Sequence, residues 1–120
     1  MNSNFGGLDV LGINRGKLLV YASNQTSCRR RLKTVSTAVE KTARTLKLDV
    51  EVLTLKSKRA PIYVYYKDGD EEPVPLYCDK NKEHDTEQVC RALRSMIFVL
   101  SFHPKYSALR KIRRKIIQFS

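Results

Sequence analysis

The stretch LVYASNQTSCRRR, residues 19–31, decides the fold of this 120-residue chain and raises its functional question. It begins inside the apolar run KLLVYA, residues 17–22, which is typical of a buried strand. From Ser27 onward apolar side chains recur every three or four residues, which predicts an amphipathic helix with Ser27 as its N-cap. The junction between strand and helix holds one cysteine and three arginines, and the function depends on which of them acts.

A second strand follows the helix. DVEVLTL, residues 49–55, has aliphatic side chains on both alternating faces, which is typical of a strand covered on both sides. Strand, helix and strand together predict a βαβ unit, whose two strands should be parallel.

The next segment predicts an antiparallel hairpin. IYVYY, residues 62–66, and a short run at 74–78 flank Asp68 and Gly69, which supply the backbone angles of a tight reversal. Pro75 cannot donate a hydrogen bond to a neighbouring strand, so the second strand of this hairpin is expected at a sheet edge.

Two helical patterns follow the hairpin. Asp85 and Gln88 form an approximate capping box for a second amphipathic helix, which Pro104 should end or bend. The chain then divides into an N-terminal tail (1–15), one domain (16–103) and a basic extension (104–120), predicted to be a single helix docked by an apolar stripe.

Charge points to a polyanion as partner. The chain has 23 Lys plus Arg against 12 Asp plus Glu, a net charge of +11. Nucleic acid is the first partner to consider, and an anionic membrane surface is the second. Three irregularly spaced cysteines disfavour a secreted, disulfide-linked scaffold, and no apolar run is long enough to cross a bilayer.

The order of elements resembles the thioredoxin fold, an α/β fold with a four-stranded mixed sheet. Laid over that fold, the active-site CxxC falls on residues 25–28, and the proline that faces it in the cis form falls on Pro61. Gln25 stands where the attacking cysteine would be, and Cys28 is the second cysteine. The resemblance therefore implies that dithiol chemistry is lost.

Within that fold, two segments resemble a narrower group. APIYVYYKDGDEEPVPL, residues 60–76, and DTEQVCRALRSMI, residues 85–97, are similar to a domain shared by mitochondrial ribosomal proteins and by a small accessory subunit of respiratory complex I. The resemblance implies a location in the mitochondrial matrix, no cofactor, and ribosomal RNA and neighbouring ribosomal proteins as partners.

Clusters of cations are the candidate binding residues. Three arginines open the first helix, where the helix dipole disfavours cations unless an anion binds there. Further cations leave the second strand and surround the apolar stripe of the extension. The predicted contacts to RNA phosphates are Arg29, Arg30, Arg31, Lys33, Lys56, Lys58, Arg59, Lys105, Arg110, Lys111, Arg113, Arg114 and Lys115.

Other chemistry is weaker in the sequence. Cys28 with Pro61 is a candidate monothiol site, because a cysteine at a helix N-terminus beside cations is a better nucleophile than an isolated thiol. Cys78, His84 and Cys90 lack the fourth ligand and the close spacing of a zinc site, so no metal is expected.

Two further surfaces are interpreted from the sequence. Tyr63, Tyr65 and Tyr66 are expected to pack in the core, with base stacking as the alternative. The acidic tip, residues 68–72, is expected to face solvent or a basic neighbouring protein.

The basic clusters thus predict a non-catalytic, structural RNA-binding protein, and the resemblance implies that it is a component of a mitochondrial ribosome. One alternative is an accessory subunit of complex I that binds protein. The other is a monothiol oxidoreductase that uses Cys28. For the RNA-binding component, no small-molecule substrate and no membrane span are expected.

Overall fold

A computed structural model describes residues 16–23, 28–57 and 60–119 of the chain. Strands and helices alternate in its first half and helices dominate its end. In chain order the elements are β1 (Gly16–Ser23), α1 (Arg29–Leu46), β2 (Asp49–Leu55), β3 (Tyr63–Asp68), β4 (Val74–Cys78), α2 (Thr86–Leu100), α3 (Ser107–Lys111) and α4 (Arg113–Phe119).

The four strands form one mixed sheet in the order β2-β1-β3-β4. β1 and β2 are parallel, as the βαβ unit predicts, while β3 is antiparallel to both β1 and β4. This arrangement confirms the predicted α/β fold, a four-stranded mixed sheet with helices that is consistent with a thioredoxin-like architecture.

β2 differs from its prediction. It is an edge strand and pairs with β1 along one side. Val50 is 37% exposed and Val52 is 56% exposed, so the expectation of cover on both faces is wrong. The aliphatic residues on both faces suit the pleated backbone of a strand, and the pattern alone does not show which faces are covered.

The hairpin is confirmed in its main features. Gly69 has a φ of 55°, the left-handed conformation that the tight reversal requires. β4 is an edge strand, as Pro75 predicts, and Pro75 pairs with Tyr65 beside a register shift between Val64 and Tyr65. A bulge at a sheet edge locally alters the pairing and bends the strand.

The two long helices begin differently. α2 has a complete capping box, in which Asp85 accepts from the Gln88 N–H and the Gln88 side chain accepts from the Asp85 N–H. α2 ends at Leu100, before the predicted limit at Pro104. α1 begins at Arg29 after Cys28, whose side chain makes no capping hydrogen bond to described residues. The predicted cap, Ser27, lies outside the described residues.

The core lies between one face of the sheet and the helices. Leu18, Val20 and Ala22 alternate along β1 and are all buried in one hydrophobic cluster. α1 and α2 contact each other over this face, so both long helices cover the same side. Their core residues are Val35, Ala38, Val39, Ala43, Leu46, Val89, Cys90, Leu93 and Ile97.

The basic extension joins this core through its apolar stripe. Leu109 is fully buried and Ile116 is 1% exposed, as predicted for a docked segment. The extension is two short helices rather than the single helix predicted. α3 ends where the Ile112 N–H donates to the Leu109 carbonyl, three residues earlier. This 3₁₀-type hydrogen bond closes a tighter turn than the α-helical bond between residues four apart.

A buried carboxylate also fixes the extension to the sheet. Asp68 is 3% exposed, and its Oδ2 accepts from the Tyr66 hydroxyl at 2.8 Å and from the Ala108 N–H at 3.1 Å. Burial, and then the hydrogen bond to Asp68, raise the pKa of Tyr66 above its usual value. A side chain at Gly16 would overlap the Tyr66 ring, so glycine is needed where β1 begins.

We predict that Ile116→Ala lowers the free energy of unfolding by about 2–5 kcal/mol, because it leaves a cavity in the core. Ile117 is the matched control, since it is 52% exposed, and Ile117→Ala should change stability by less than about 0.5 kcal/mol. Urea denaturation followed by circular dichroism measures both. Equal effects would contradict the docking of the extension.

Candidate nucleic-acid interface

One end of the sheet collects several of the predicted cations. We call it the arginine end, where β1 and β2 finish at Ser23 and Leu55 and β3 begins at Tyr63. β1 and β2 are parallel, so both strands end at this edge of the sheet. α1 follows β1 along the chain, so its arginines lie here, and Lys56 follows β2 at the same edge. This agrees with the sequence prediction. Lys58 and Arg59 lie outside the described residues.

The three arginines of α1 have different surroundings. Arg29 and Arg30 are exposed. Arg30 lies 3.6 Å from the Glu83 carboxylate, but its side chain is 83% exposed, and such a pair contributes little to stability. Arg31 is different, since its side chain is 13% exposed and its Nη1 donates to the Asp79 Oδ2 at 2.6 Å.

Asp79 is the residue that organises this end. It is 1% exposed, and its Oδ1 accepts from the Ile62 N–H and the Asn81 N–H, each at 2.9 Å. Together with Arg31, these bonds join the first turn of α1, the entry to β3 and the turn after β4. Arg31 therefore stabilises the fold, and its charge is balanced by a buried carboxylate.

The sequence reasoning missed Asp79. The signal that could have identified it is its position directly after a predicted strand and two residues before Asn81, in a polar segment. In the structure Lys80 and Asn81 both have positive φ, as in a tight turn. Aspartate often fixes such turns through its own side chain. The pairing with Arg31 spans 48 positions, and no local pattern reveals it.

Further cations surround the arginine end. Lys33 and Lys56 are exposed, as a contact to phosphate requires. Lys80 and Lys82, which the sequence reasoning also missed, are exposed in the turn after β4. Since β4 is antiparallel to β3, its last residue, Cys78, lies at this same end.

Cys28 has the surroundings of a structural residue. It is 3% exposed, and its thiol donates to the Ser23 carbonyl at 3.1 Å. No cis peptide bond occurs among the described residues, so the bond before Pro61 is trans and differs from the thioredoxin pattern. Gln25 lies outside the described residues.

The sequence also singled out a possible metal set. Within the described ranges, no group of three His, Cys, Asp or Glu residues could hold a metal ion. Cys90 is buried in the core, and burial raises the pKa of its thiol. The His84 ring instead shares a hydrogen bond with the Tyr77 hydroxyl. Burial, and then the Asp79 charge, raise the pKa of Tyr77 to about 12.

The cations of the extension lie at the opposite end of the sheet. Ala108, in α3, donates to Asp68 at the end of β3, whereas the arginines lie beyond the start of β3. The predicted cations therefore form two separate surfaces. The exposed members at this second end are Lys105, Arg110, Lys111 and Arg114.

Arg113 is an exception within the extension. It is half-buried, its Nη2 donates to the Ser101 carbonyl at 2.7 Å, and its guanidinium lies 4.6 Å from the centre of the Phe102 ring. These contacts give it a role in packing the extension. The side chain of Lys115 lies outside the described residues.

The acidic tip has two kinds of residue. Asp68 is buried, so for this residue the expectation of a tip facing solvent is wrong; its carboxylate instead binds groups of β3 and α3. Glu71 lies 3.5 Å from the Lys105 ammonium group. Asp70 and Glu72 are exposed, as predicted. The chain's own extension therefore supplies one basic neighbour of the tip.

The second face of the sheet carries half-buried aromatic rings. In the pairing of β1 with β3, Tyr21 lies opposite Tyr63, and Tyr65 is two positions along β3 on the same side. This side faces away from the long helices, and all three tyrosines are half-buried. The expectation of core packing is wrong for Tyr63 and Tyr65, and it is confirmed for the fully buried Tyr66. A run with aromatics on both faces does not show which face the helices cover.

Comparisons with known protein families, curated proteins and solved structures give no match to this chain. Among the described helices, none has the length and apolar character needed to span a membrane.

We predict that Arg31→Met lowers the free energy of unfolding by about 3–5 kcal/mol, because it leaves the Asp79 carboxylate buried without its cation. The matched control is Arg30→Met, which removes an exposed pair and should change stability by less than about 1 kcal/mol. Chemical denaturation measures the difference. Similar stabilities of the two variants would show that Asp79 does not depend on Arg31.

Cys28 should resist alkylation in the native state, because its thiol is buried and donates to a carbonyl. The measurement uses iodoacetamide on a Cys78→Ser, Cys90→Ala variant, with the same variant in urea as the control. Mass spectrometry should show far slower modification of the folded protein. Native modification as fast as in urea would contradict a structural role and would favour the monothiol enzyme.

Proposed function

We propose that this chain is a non-catalytic, structural RNA-binding protein whose arginine end binds RNA phosphates. The observation that carries the proposal is the exposure of Arg29 and Arg30 in the first turn of α1. That turn contains no acidic residue. Two guanidinium groups thus stand at the positive end of an 18-residue helix and lack a close carboxylate within the described residues apart from the loose contact to Glu83.

Electrostatics supports an anion at this position. A cation at a helix N-terminus is unfavourable by about 0.3–1 kcal/mol at an exposed site. A bound phosphate offsets this unfavourable interaction, because the phosphate interacts favourably with the helix dipole and with both guanidinium groups. The arrangement is therefore better suited to a protein–phosphate complex than to the isolated chain.

The surrounding lysines extend the contact to more than one phosphate. Lys33, Lys56, Lys80 and Lys82 are exposed around the same end. Such contacts give affinity and orientation without reading base sequence, as expected of a structural component. The cations of the extension form a second contact at the far end of the sheet. A chain with basic surfaces at both ends suits a position between RNA segments.

The sequence resemblance gives the proposal its biological setting. By that resemblance the particle is a mitochondrial ribosome and the RNA is ribosomal. The buried position of Cys28 also supports a non-catalytic role, since a thiol held against a carbonyl is poorly placed to attack a substrate.

A second candidate is the accessory subunit of complex I, which would bind protein. The exposed side chains of Val99, 62% exposed, and Phe102, 53% exposed, favour it, because a protein partner would cover such apolar groups. An RNA-binding measurement separates the two candidates.

We predict that Arg29→Gln with Arg30→Gln weakens RNA binding and reduces its salt dependence. Each lost phosphate contact should lower the slope of log affinity against log salt by about 0.7–0.9. Fluorescence anisotropy of a labelled structured RNA at several salt concentrations measures the slope.

The matched control removes two charges from the other half of the same helix. Lys41 and Arg44 are also exposed, and Lys41→Gln with Arg44→Gln should leave the slope nearly unchanged. Equal losses in both variants would mean that net charge, rather than the arginine end, binds RNA. No measurable binding by the unaltered protein would contradict the proposal and favour the protein-binding candidate.

A further inference from the structure

The sheet face opposite the long helices bears three tyrosines that the phosphate contacts do not use. Tyr21 in β1 is paired with Tyr63 in β3, and Tyr65 lies two positions further along β3 on the same face. The rings contact one another: the centroids of Tyr21 and Tyr65 are 5.4 Å apart, and those of Tyr63 and Tyr65 are 6.4 Å apart. No described helix packs over them, so they form an aromatic surface.

This tyrosine face has a defined shape. A shallow depression of about 400 Å³ is lined by Tyr21, Leu55, Tyr63, Tyr65 and Pro73. The Tyr21 and Tyr65 rings meet edge to face, with an angle of 82° between their planes. Rings held by neighbours in this way are already ordered, so a planar ligand would bind with little loss of side-chain freedom.

Charge decides what kind of planar ligand fits. Tyr21 and Tyr63 lie near the arginine end, where β1 finishes at Ser23, β3 begins at Tyr63 and the exposed Lys56 follows β2. Acidic residues near this face are Asp49 and Glu51 at the start of β2 and the exposed Glu72 next to Pro73, and all three lie away from the arginine end. Glu51 is also balanced by the Lys17 ammonium group at 3.2 Å.

We propose that the tyrosine face binds unpaired bases of a single-stranded RNA segment whose phosphates contact the arginine end. The inference rests on the proposed function and deepens it by naming the form of the RNA. Every nucleobase has a flat face that stacks on an aromatic ring, so binding tolerates different sequences. A duplex hides these faces, and the tyrosine face therefore discriminates single strands from double strands.

The chemistry favours bases over an apolar peptide. The half-buried tyrosine rings combine an apolar surface with a hydroxyl that can bond to base edges or water. The exposed cations of the arginine end can contact phosphates of the same RNA segment, whereas an apolar peptide offers them no anion.

The test replaces the rings by apolar side chains that have no flat face. Tyr63→Leu with Tyr65→Leu should weaken binding of a short single-stranded oligouridylate by roughly tenfold or more. Binding of a double-stranded RNA of the same length should not change. The salt slope for the oligouridylate should also stay the same, because stacking neutralises no phosphate.

The matched control is Tyr63→Phe with Tyr65→Phe, which keeps both rings and should bind nearly as well as the unaltered protein. The chain contains no tryptophan, and three of its six tyrosines lie on this face, so the tyrosine fluorescence of the unaltered protein should fall when the oligouridylate binds. Thermal melting of both variants verifies that they fold.

The outcomes separate this inference from the proposed function. If the leucine variant binds the single strand as well as the phenylalanine variant does, and the Arg29, Arg30 variant still loses affinity, stacking is overturned and phosphate binding stands. If both RNA forms weaken equally in the leucine variant, selectivity for single strands is overturned. If the unaltered protein binds neither RNA, both proposals fail, and the result favours the protein-binding candidate.

Discussion

The geometry of the arginine end depends on one buried carboxylate. Asp79 accepts hydrogen bonds from Arg31, from the backbone of Ile62 and from the backbone of Asn81. These partners belong to three separate segments, so a single side chain aligns the start of α1 with the entry to β3 and the turn after β4. With Arg31 held inward, Arg29 and Arg30 remain on the surface.

A second constraint comes from chain length. β2 ends at Leu55 and β3 begins at Tyr63, which leaves positions 56–62 between them. A covering helix with its two connections needs about a dozen residues, so this connection is too short to provide one. Both long helices lie on the other side. The tyrosine face is therefore a consequence of a short connection as much as of its aromatic residues.

Much of the fold could be predicted from local patterns. The strand at 17–22, the capping box at Asp85 and Gln88, and the reversal at Gly69 each have a short-range physical cause. The parallel pairing of β1 with β2 followed from the βαβ order. What the patterns could not show was which sheet face the helices would cover, because IYVYY places aromatics on both.

The candidate site was less predictable than the fold. The exposed arginines and Lys56 were found from charge and position, and the topology brings them to one end. Arg31 and Arg113 were predicted to contact RNA, but the first binds Asp79 and the second binds the Ser101 carbonyl. Both partners are distant in sequence, so composition could not distinguish a structural arginine from an exposed one.

The central claim is that RNA contacts the arginine end. The most direct measurement is a titration of the ¹⁵N-labelled protein with RNA, followed by NMR chemical-shift changes of backbone amides. The account predicts changes concentrated in the first turn of α1, around Lys56 and in the turn after β4. Changes confined to the region of Val99 and Phe102, or no changes at RNA concentrations that saturate a genuine RNA-binding protein, would contradict it.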